Sequence, residues 1–349
     1  MALLDKWNTP AWAHDEQHLQ PAVSAISTGS LQVSYMYGRS LRAGALSWLF
    51  RVVVKPVAAI CGHLLAWPWP FALIEGLAAI MPRPRGVTIE AVEIAGLSAE
   101  LICPKHGGGN ERTSVVLYLH GGAFYLCGRN THRRAAAHLV RLSQQPALVV
   151  EYRQAPRHPV SQSVRDCVSA FGWLRQQGYP ASSISIAGDS AGGFLAVATA
   201  LAAMKEKLGT PAALVCWSPG LDFTLDNARR NRPSDPFIPR AAYNALCRRL
   251  AKLEPANQDD GTICSTTSML SIDTGGFPPT LIQVGAQEFL AEDSIRFARK
   301  LADGAVPTVL ELWDRQLHVF PVFADLLPEG KQALRRAAAF LREACPDTN

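Results

Sequence analysis

From residue 86 onward, the sequence alternates between short apolar runs typical of strands and longer runs of helical length. Consecutive parallel strands need a crossover, which a helix usually supplies, so this alternation predicts a parallel sheet covered by helices on both faces. We therefore predict an α/β fold with a mostly parallel central sheet. The runs typical of strands are the hairpin GVTIEAVEIAG and SAELICP, followed by SVVLYLH, ALVVEYR, SISIAG, AALVCWS, PTLIQVG and PTVLELW.

Two segments interrupt the alternation. Residues 1–85 contain helix-like runs punctuated by prolines, and we expect them to form an N-terminal helical cap. Residues 223–276 are longer than a plain crossover between strands, which favours a cap or lid insertion above the carboxyl edge of the sheet. The catalytic domain is then predicted in two parts, residues 86–222 and 277–349.

Charge and cysteine usage exclude several classes of function. The formal charge is only +5 over 349 residues and the basic residues are scattered, whereas a nucleic-acid site needs a basic stripe. The eight cysteines form no CxxC pair, so we expect no metal site and no cofactor. The N-terminus has no basic and apolar leader pattern, and together with the cysteine usage this predicts a cytoplasmic protein.

One run in the predicted cap is nearly long enough to cross a membrane. Residues 57–74 carry no Asp, Glu, Lys or Arg, but Pro68 and Pro70 would break a helix there. We therefore expect a cap over a pocket. Association of this cap with a membrane surface stays open, as does formation of a homodimer.

Ser190 lies between Gly188 and Gly192 in the motif GDSAGG, after a strand-like run and before an alanine-rich helix. A tight strand-to-helix turn needs a strained backbone, and small residues two positions away let it close. The turn also puts the hydroxyl near free helix amides, which favour negative charge. This G-x-S-x-G pattern is the nucleophile elbow of α/β-hydrolases, although a simple N-cap serine would fit the same position. Asp189 is expected to bind nearby loop amides.

A second glycine motif, HGGAF, follows the strand-like run SVVLY. Adjacent glycines can direct backbone N–H groups inward, where they stabilise a developing oxyanion. We predict that the amides of Gly121 and Gly122, with that of Ala191 after the serine, form an oxyanion hole.

These motifs together resemble the hormone-sensitive-lipase family of α/β-hydrolases. HGGAF and GDSAGG are similar to its two signature blocks, and EYRQAPRHP is similar to its YRLAPEHP segment. FPPTLIQVG looks like the strand leading to the family's catalytic acid, and LHVF looks like its catalytic histidine segment. The resemblance spans residues 85–345 and implies an α/β-hydrolase fold with a carboxylesterase-like activity.

A serine nucleophile needs a base, and in this fold the chain order is serine, acid, histidine. His318 is the one histidine after Ser190. The resemblance places Glu288 at the position of the acid, because EFL aligns with the family's DPL. Asp293, in the expected first turn of the next helix, and Asp222 stay open as alternatives.

The combined interpretation is a serine carboxylesterase in which Ser190 attacks the ester carbonyl, His318 moves the proton and Glu288 orients His318. The expected substrate is a small-molecule ester with an apolar or short-to-medium acyl chain. Acyl transfer to an alcohol and lactone opening use the same three residues and stay open. A lyase or a ligand-binding relative without hydrolysis is the further alternative.

Overall fold

The computed structural model describes residues 23–28, 30–57, 69–105, 113–224, 237–254 and 268–345. Within these residues ten strands form one sheet in the order β1-β2-β10-β9-β8-β7-β5-β6-β4-β3. The strands are β1 (Val23–Thr28), β2 (Leu31–Met36), β3 (Val87–Ile94), β4 (Leu97–Pro104), β5 (Val115–Leu119), β6 (Ala147–Val150), β7 (Ile184–Asp189), β8 (Leu214–Trp217), β9 (Thr280–Gly285) and β10 (Thr308–Trp313).

The inner strands run parallel and the edges are antiparallel. Strands β6, β5, β7, β8, β9, β10 and β2 pair in parallel with their neighbours, whereas β1 with β2, β3 with β4, and β4 with β6 are antiparallel. The predicted hairpin and mostly parallel sheet are therefore confirmed.

Helices follow the strands as the alternation predicts. They are α1 (Leu41–Leu49), extended by a π-turn (Phe50–Val54), α2 (Trp69–Ala79), α3 (Arg129–Ser143), α4 (Val160–Gln176), α5 (Ala191–Lys205), α6 (Arg240–Leu253), α7 (Ala291–Asp303) and α8 (Pro328–Ala344). Every residue of β5 to β9 is buried, because helices cover both faces of the sheet. This rigid centre supports the loops at its carboxyl edge.

The expectation that residues 1–85 are helical is wrong for two stretches. Strands β1 and β2 extend the sheet, and β2 pairs in parallel with β10 along its whole length. The sequence LQVSY alternates apolar or aromatic residues with polar ones, which is the period-2 pattern of a strand. By joining the sheet, β2 satisfies the backbone groups of β10 that would otherwise lie at an open edge.

Parts of both predicted cap segments lie outside the described residues, namely 1–22, 29, 58–68, 225–236 and 255–267. Most of the membrane-length run falls among them. No helix in the described ranges is both long and apolar enough to span a membrane. The division into cap and catalytic segments stays a prediction.

A buried polar network ties the sheet to α8. The Glu311 carboxylate on β10 accepts hydrogen bonds from Gln283 Nε2 at 2.7 Å and Trp313 Nε1 at 3.2 Å, and it pairs with the Arg336 guanidinium. The other end of the Gln283 side chain accepts from Trp217 Nε1 at 2.7 Å. Because the Glu311 carboxylate is buried, loss of one of these donors would leave part of it without a hydrogen-bond partner.

We predict that Arg336→Leu lowers the free energy of unfolding by about 2 kcal/mol, because it removes a charged donor from a buried carboxylate. Urea denaturation measures this change. Arg335→Leu is the matched control, since Arg335 is exposed on the same helix. Equal effects of the two substitutions would contradict a stabilising role for the Glu311 network.

Candidate active site

Ser190 lies at the turn between β7 and α5 in a strained conformation, with φ 51° and ψ −117°. The turn is as tight as the glycine spacing suggests. A Cβ on Gly188 would lie 2.2 Å from the Gly192 carbonyl oxygen, and one on Gly192 would lie 2.0 Å from the Leu119 carbonyl oxygen. Neither approach is possible for a larger residue, so both glycines are required by the packing of the elbow.

The structure brings the three residues predicted for the triad into one hydrogen-bonded chain. His318 Nε2 lies 2.9 Å from Ser190 Oγ, and His318 Nδ1 lies 2.7 Å from Glu288 Oε2. Glu288 follows β9 and His318 follows β10, so both side chains come from loops at the carboxyl edge of the sheet. His318 and Glu288 are buried, whereas Ser190 is partly exposed and can meet a ligand.

The two alternative acids, Asp293 and Asp222, lie on other segments of the chain. Asp293 is buried in the first turn of α7, as the sequence suggests. Asp222 accepts hydrogen bonds from the amide and hydroxyl of Thr224 at 3.0 and 2.7 Å. The short contact to His318 Nδ1 belongs to Glu288.

Ser218, which sequence reasoning missed, joins the acid to the histidine loop. Its Oγ donates to Glu288 Oε1 at 2.7 Å and accepts from the Val319 amide at 3.1 Å. The same carboxylate oxygen accepts from the Gly285 amide at 2.6 Å. Ser218 follows β8 directly, so its position after a strand at the carboxyl edge is the signal that could have identified it.

The oxyanion loop differs from the prediction at one residue. The Gly121 amide donates to Asp189 Oδ1 at 3.1 Å, so its single proton is not available to a substrate. The next two residues bend through positive φ, 116° at Gly122 and 56° at Ala123, and both are partly exposed. Among the hydrogen bonds of the described residues, the amides of Gly122, Ala123 and Ala191 find no acceptor. The donors left for an oxyanion are therefore these three.

Asp189 holds the oxyanion loop by a hydrogen bond to a loop amide, as expected from the sequence. Besides the Gly121 amide, it accepts from Tyr118 Oη at 3.3 Å and lies 3.3 Å from His132 Nε2. Burial alone would lower the pKa of His132, but the facing Asp189 carboxylate raises that pKa above its ordinary value. Burial opposes the charge of Asp189 as well, yet His132 holds the pKa of Asp189 below its usual range. The two form a buried ion pair under the loop.

His120 stabilises the conformation of the same loop. Its Nδ1 lies 2.8 Å from the Gly121 carbonyl oxygen, and Tyr152 stacks on the ring with centroids 4.3 Å apart. Burial, reinforced by the positive charge of His132, lowers the pKa of His120 to about 3. His120 is therefore neutral at physiological pH and adds no second charge beside His132.

Aromatic side chains line the region between the oxyanion loop, α5 and α6. Phe124 contacts both Phe194, one turn after Ser190, and Phe223, with ring centroids 5.7 and 5.2 Å apart. Phe223 stacks on Tyr243 of α6, and the Tyr243 hydroxyl donates to the Asp222 carbonyl oxygen at 2.6 Å. These contacts fix α6 against the site and make its wall apolar.

The cysteine that follows the oxyanion loop is not activated as a nucleophile. Burial raises the pKa of the Cys127 thiol to about 12, so this cysteine is a poor nucleophile at neutral pH. Within the described ranges, no group of three His, Cys, Asp or Glu side chains has the arrangement of a metal site.

Comparison with known proteins agrees with this fold and site. Residues 116–322 match a family model described as the alpha/beta hydrolase fold. Esterase LipU of Mycobacterium tuberculosis is 38% identical over 84% of this chain and 99% of its own length. Carboxylesterase/phospholipase LipF of the same organism is 33% identical over 88% of this chain and 83% of its own.

Solved structures agree as well. The esterase EstE5, in crystals soaked with p-nitrophenyl butyrate, superposes with a TM-score of 0.74 at 32% identity and covers 88% of this chain and 99% of its own. An esterase of the bacterial hormone-sensitive lipase family superposes with a TM-score of 0.73 at 30% identity, with 88% and 100% coverage. The chain belongs to the α/β-hydrolase family, within the hormone-sensitive-lipase group. It is a serine ester hydrolase.

We predict that Ser218→Ala lowers kcat/KM by about 10- to 100-fold, because a buried hydrogen bond to a charged group is worth about 1.5–3 kcal/mol. Steady-state hydrolysis of a p-nitrophenyl ester measures the change. Ser185→Ala is the control, since Ser185 is also a buried serine, at the start of β7, but its hydroxyl contacts Cys345. Equal rates for wild type and Ser218→Ala would contradict the positioning of Glu288 by Ser218.

The His132–Asp189 pair predicts a pH-dependent stability. Since the folded-state pKa of His132 is raised above 6.5, its contribution is fully present below that pH and is lost as pH rises through the raised value. The contribution of Asp189 is present above pH 3.8 and is lost on acidification. We expect the difference in unfolding free energy between wild type and His132→Gln to be largest between these two values. Urea denaturation across pH measures it, and a difference independent of pH would contradict the ion pair.

Proposed function

We propose that the chain hydrolyses carboxylic esters through an acyl-enzyme on Ser190. The observation that carries the proposal is the chain of contacts from Ser190 Oγ to His318 Nε2 at 2.9 Å and from His318 Nδ1 to Glu288 Oε2 at 2.7 Å. A serine hydroxyl at neutral pH is a weak nucleophile, and an adjacent imidazole oriented by a carboxylate is the arrangement that activates it.

In the first half-reaction, His318 Nε2 takes the hydroxyl proton while Ser190 Oγ forms a bond to the ester carbonyl carbon. The carbonyl oxygen becomes an oxyanion, which accepts hydrogen bonds from the amides of Gly122, Ala123 and Ala191. Each such donor typically contributes about 3 kcal/mol of transition-state stabilisation. His318 then gives its proton to the leaving alcohol oxygen, the carbon–oxygen bond breaks, and the acyl group stays on Ser190.

In the second half-reaction, His318 removes a proton from water, and the water oxygen forms a bond to the acyl carbon. His318 then gives that proton to Ser190 Oγ as the bond between Oγ and the acyl carbon breaks, which releases the acid and restores the free serine. Glu288 acts through His318 in both steps. Its carboxylate accepts the Nδ1–H bond, which leaves Nε2 free to take the serine proton and stabilises the imidazolium that forms. Ser218 and the Gly285 amide hold the other carboxylate oxygen, so Glu288 cannot rotate away without losing two buried hydrogen bonds.

The acyl group is proposed to be apolar and short to medium in length. Phe124 and Phe194 lie beside the oxyanion loop and the nucleophile, and rings there favour an acyl chain over a polar substituent. The butyrate ester soaked into EstE5 crystals is an ester of this class. The cytoplasmic location expected from the sequence stays a prediction, and formation of a homodimer stays open.

The test is hydrolysis of p-nitrophenyl esters from acetate to palmitate by wild type and variants. We expect Ser190→Ala to lower kcat by about 10⁶ and Glu288→Gln by about 10⁴, since the nucleophile is lost in one and the imidazole loses its orienting acceptor in the other. A fluorophosphonate probe should label wild type and leave Ser190→Ala unlabelled.

Asp293→Asn and Asp222→Asn are the matched controls for the acid, because both residues are the alternatives to Glu288. We expect each control, checked for an unchanged melting temperature, to keep rates within about tenfold of wild type. Near-normal activity in Glu288→Gln together with a severe loss in a folded Asp control would move the acid to that residue. A wild-type protein inert toward every ester and toward the probe would refute the proposal.

A further inference from the structure

Almost all large apolar side chains that the described residues expose come from residues 41–81. On α1 and its π-turn, Leu41 is 83% exposed and Trp48 65%, and Leu49, Val52 and Val53 are exposed beside them. The opposite side of the helix packs on the protein, where Ala43 and Ser47 are buried. A helix with this outward composition leaves an apolar surface in contact with solvent.

Helix α2 shows the same division. Leu73 and Leu77 on α2, and Ile80 and Met81 directly after its end, recur at helical spacing and are exposed, with Ile80 80% exposed. Its one acidic residue, Glu75, points away from them and accepts hydrogen bonds from the amides of Asn130 and Thr131 at 2.7 and 3.2 Å. We call the exposed apolar side chains on α1, its π-turn and α2, together with Ile80 and Met81, the apolar cap face.

A cleft rich in arginine adjoins this face. The cleft has a volume of about 330 Å³ and is lined by Arg83, Arg85, Arg134, His138, Arg141 and Asp325. Arg83 and Arg85 follow α2 directly in the chain, after Met81 and Pro82. On the other side of the cleft, Leu326 is exposed beside Asp325, and the same segment holds Phe323, which packs on Phe50 of the π-turn.

The charge of the cleft is positive. Arg141 Nη2 lies 2.7 Å from His138 Nδ1, and His138 Nε2 lies 2.6 Å from Asp325 Oδ1. Four arginines and one carboxylate, that of Asp325, line the cleft. Arg134 pairs with Asp325 and donates to the Pro82 carbonyl oxygen at 3.2 Å, and Arg141 donates to the Arg85 carbonyl oxygen at 2.7 Å, so the lining keeps a net positive charge. Guanidinium groups match the oxygens of a phosphate in charge and in geometry.

The face itself is also basic. Residues 39–85 contain the cations Arg39, Arg42, Arg51, Lys55, Arg83 and Arg85 and a single acid, the inward-turned Glu75. Apolar helices edged by cations are the composition of surfaces that lie in a membrane interface and contact anionic lipids.

We propose that the apolar cap face docks on an anionic phospholipid bilayer, with a lipid phosphate in the arginine cleft. The apolar side chains would enter the acyl boundary while the guanidinium groups contact the phosphates. The apolar side chains match the hydrocarbon region of a bilayer, and the net positive charge matches anionic headgroups. A single occupant, the anionic bilayer, therefore explains both properties of this surface.

The face lies close to the proposed catalytic residues. Phe50 stacks on Phe237 with centroids 5.1 Å apart, and the Phe237 ring lies 5.6 Å from that of His318. Glu75 caps α3, which begins directly after the oxyanion loop. An ester could then pass from the bilayer to Ser190 along apolar contacts. This delivery rests on the proposed function, whereas docking does not.

The test is cosedimentation of the full chain with vesicles of phosphatidylcholine alone or of an equal mixture with phosphatidylglycerol. We expect binding at least tenfold stronger to the anionic vesicles. Arg83→Gln/Arg85→Gln should weaken that binding about 30-fold, because each cation near an anionic surface strengthens binding about fivefold. Leu77→Ser/Ile80→Ser should weaken binding by at least tenfold at high salt, where charge effects are screened.

Arg165→Gln/Arg175→Gln is the matched control, since both arginines are exposed on α4 and the change in net charge is the same. It should bind as wild type does, and melting temperatures confirm that all variants fold. Ser190→Ala should also bind as wild type, so that failure of docking and failure of ester hydrolysis give different results.

Four outcomes overturn the proposal. These are equal binding to neutral and anionic vesicles, wild-type binding by Arg83→Gln/Arg85→Gln, binding of inorganic phosphate without binding to vesicles, and self-association through Leu77 and Ile80 without binding to vesicles. The last two would assign the cleft to free phosphate or the face to a second copy of the chain.

Discussion

The active site depends on the strained turn at Ser190. A serine with positive φ costs about 1–3 kcal/mol, and the surrounding contacts must hold it there. The Ser190 amide donates to the Trp217 carbonyl oxygen at 2.9 Å, and the Ser190 carbonyl oxygen accepts from Gly220 at 3.0 Å. These bonds join the elbow to the end of β8, which also carries Ser218. The nucleophile, the acid and the histidine loop are therefore supported by one set of contacts at the carboxyl edge of the sheet.

The parts of the molecule that could be predicted from the sequence are those encoded by local pattern. Alternating apolar runs identify the central strands, because a buried parallel strand is continuously apolar over a length that helices rarely share. The elbow is equally local, since Gly188 and Gly192 lie within two residues of Ser190. The same reasoning fails for β2, because its alternation of apolar and polar residues is short and helices follow it. Only its pairing with β10 distinguishes β2 from a helical segment.

The oxyanion loop shows why the rest could not be predicted. Gly121 and Gly122 look equivalent in sequence, but the Gly121 amide is taken by Asp189, which is 68 positions away in the chain. Which glycine keeps a free amide is decided by that tertiary contact. His132 is a further example, because nothing in THRRAAAH indicates that one histidine turns inward to pair with Asp189.

The ion pair under the loop and the capping of α3 act on the same short segment from opposite ends. Asp189 and His132 hold the loop at Gly121, while Glu75 caps α3 at Asn130, just after the loop ends. Because α2 carries Glu75 on one side and apolar side chains on the other, the position of the cap face is fixed relative to the free amides of the loop. A ligand that enters along the cap would therefore meet backbone amides of the oxyanion loop that are already in place before it binds. Oxyanion stabilisation requires this preorganisation of the hydrogen-bond donors.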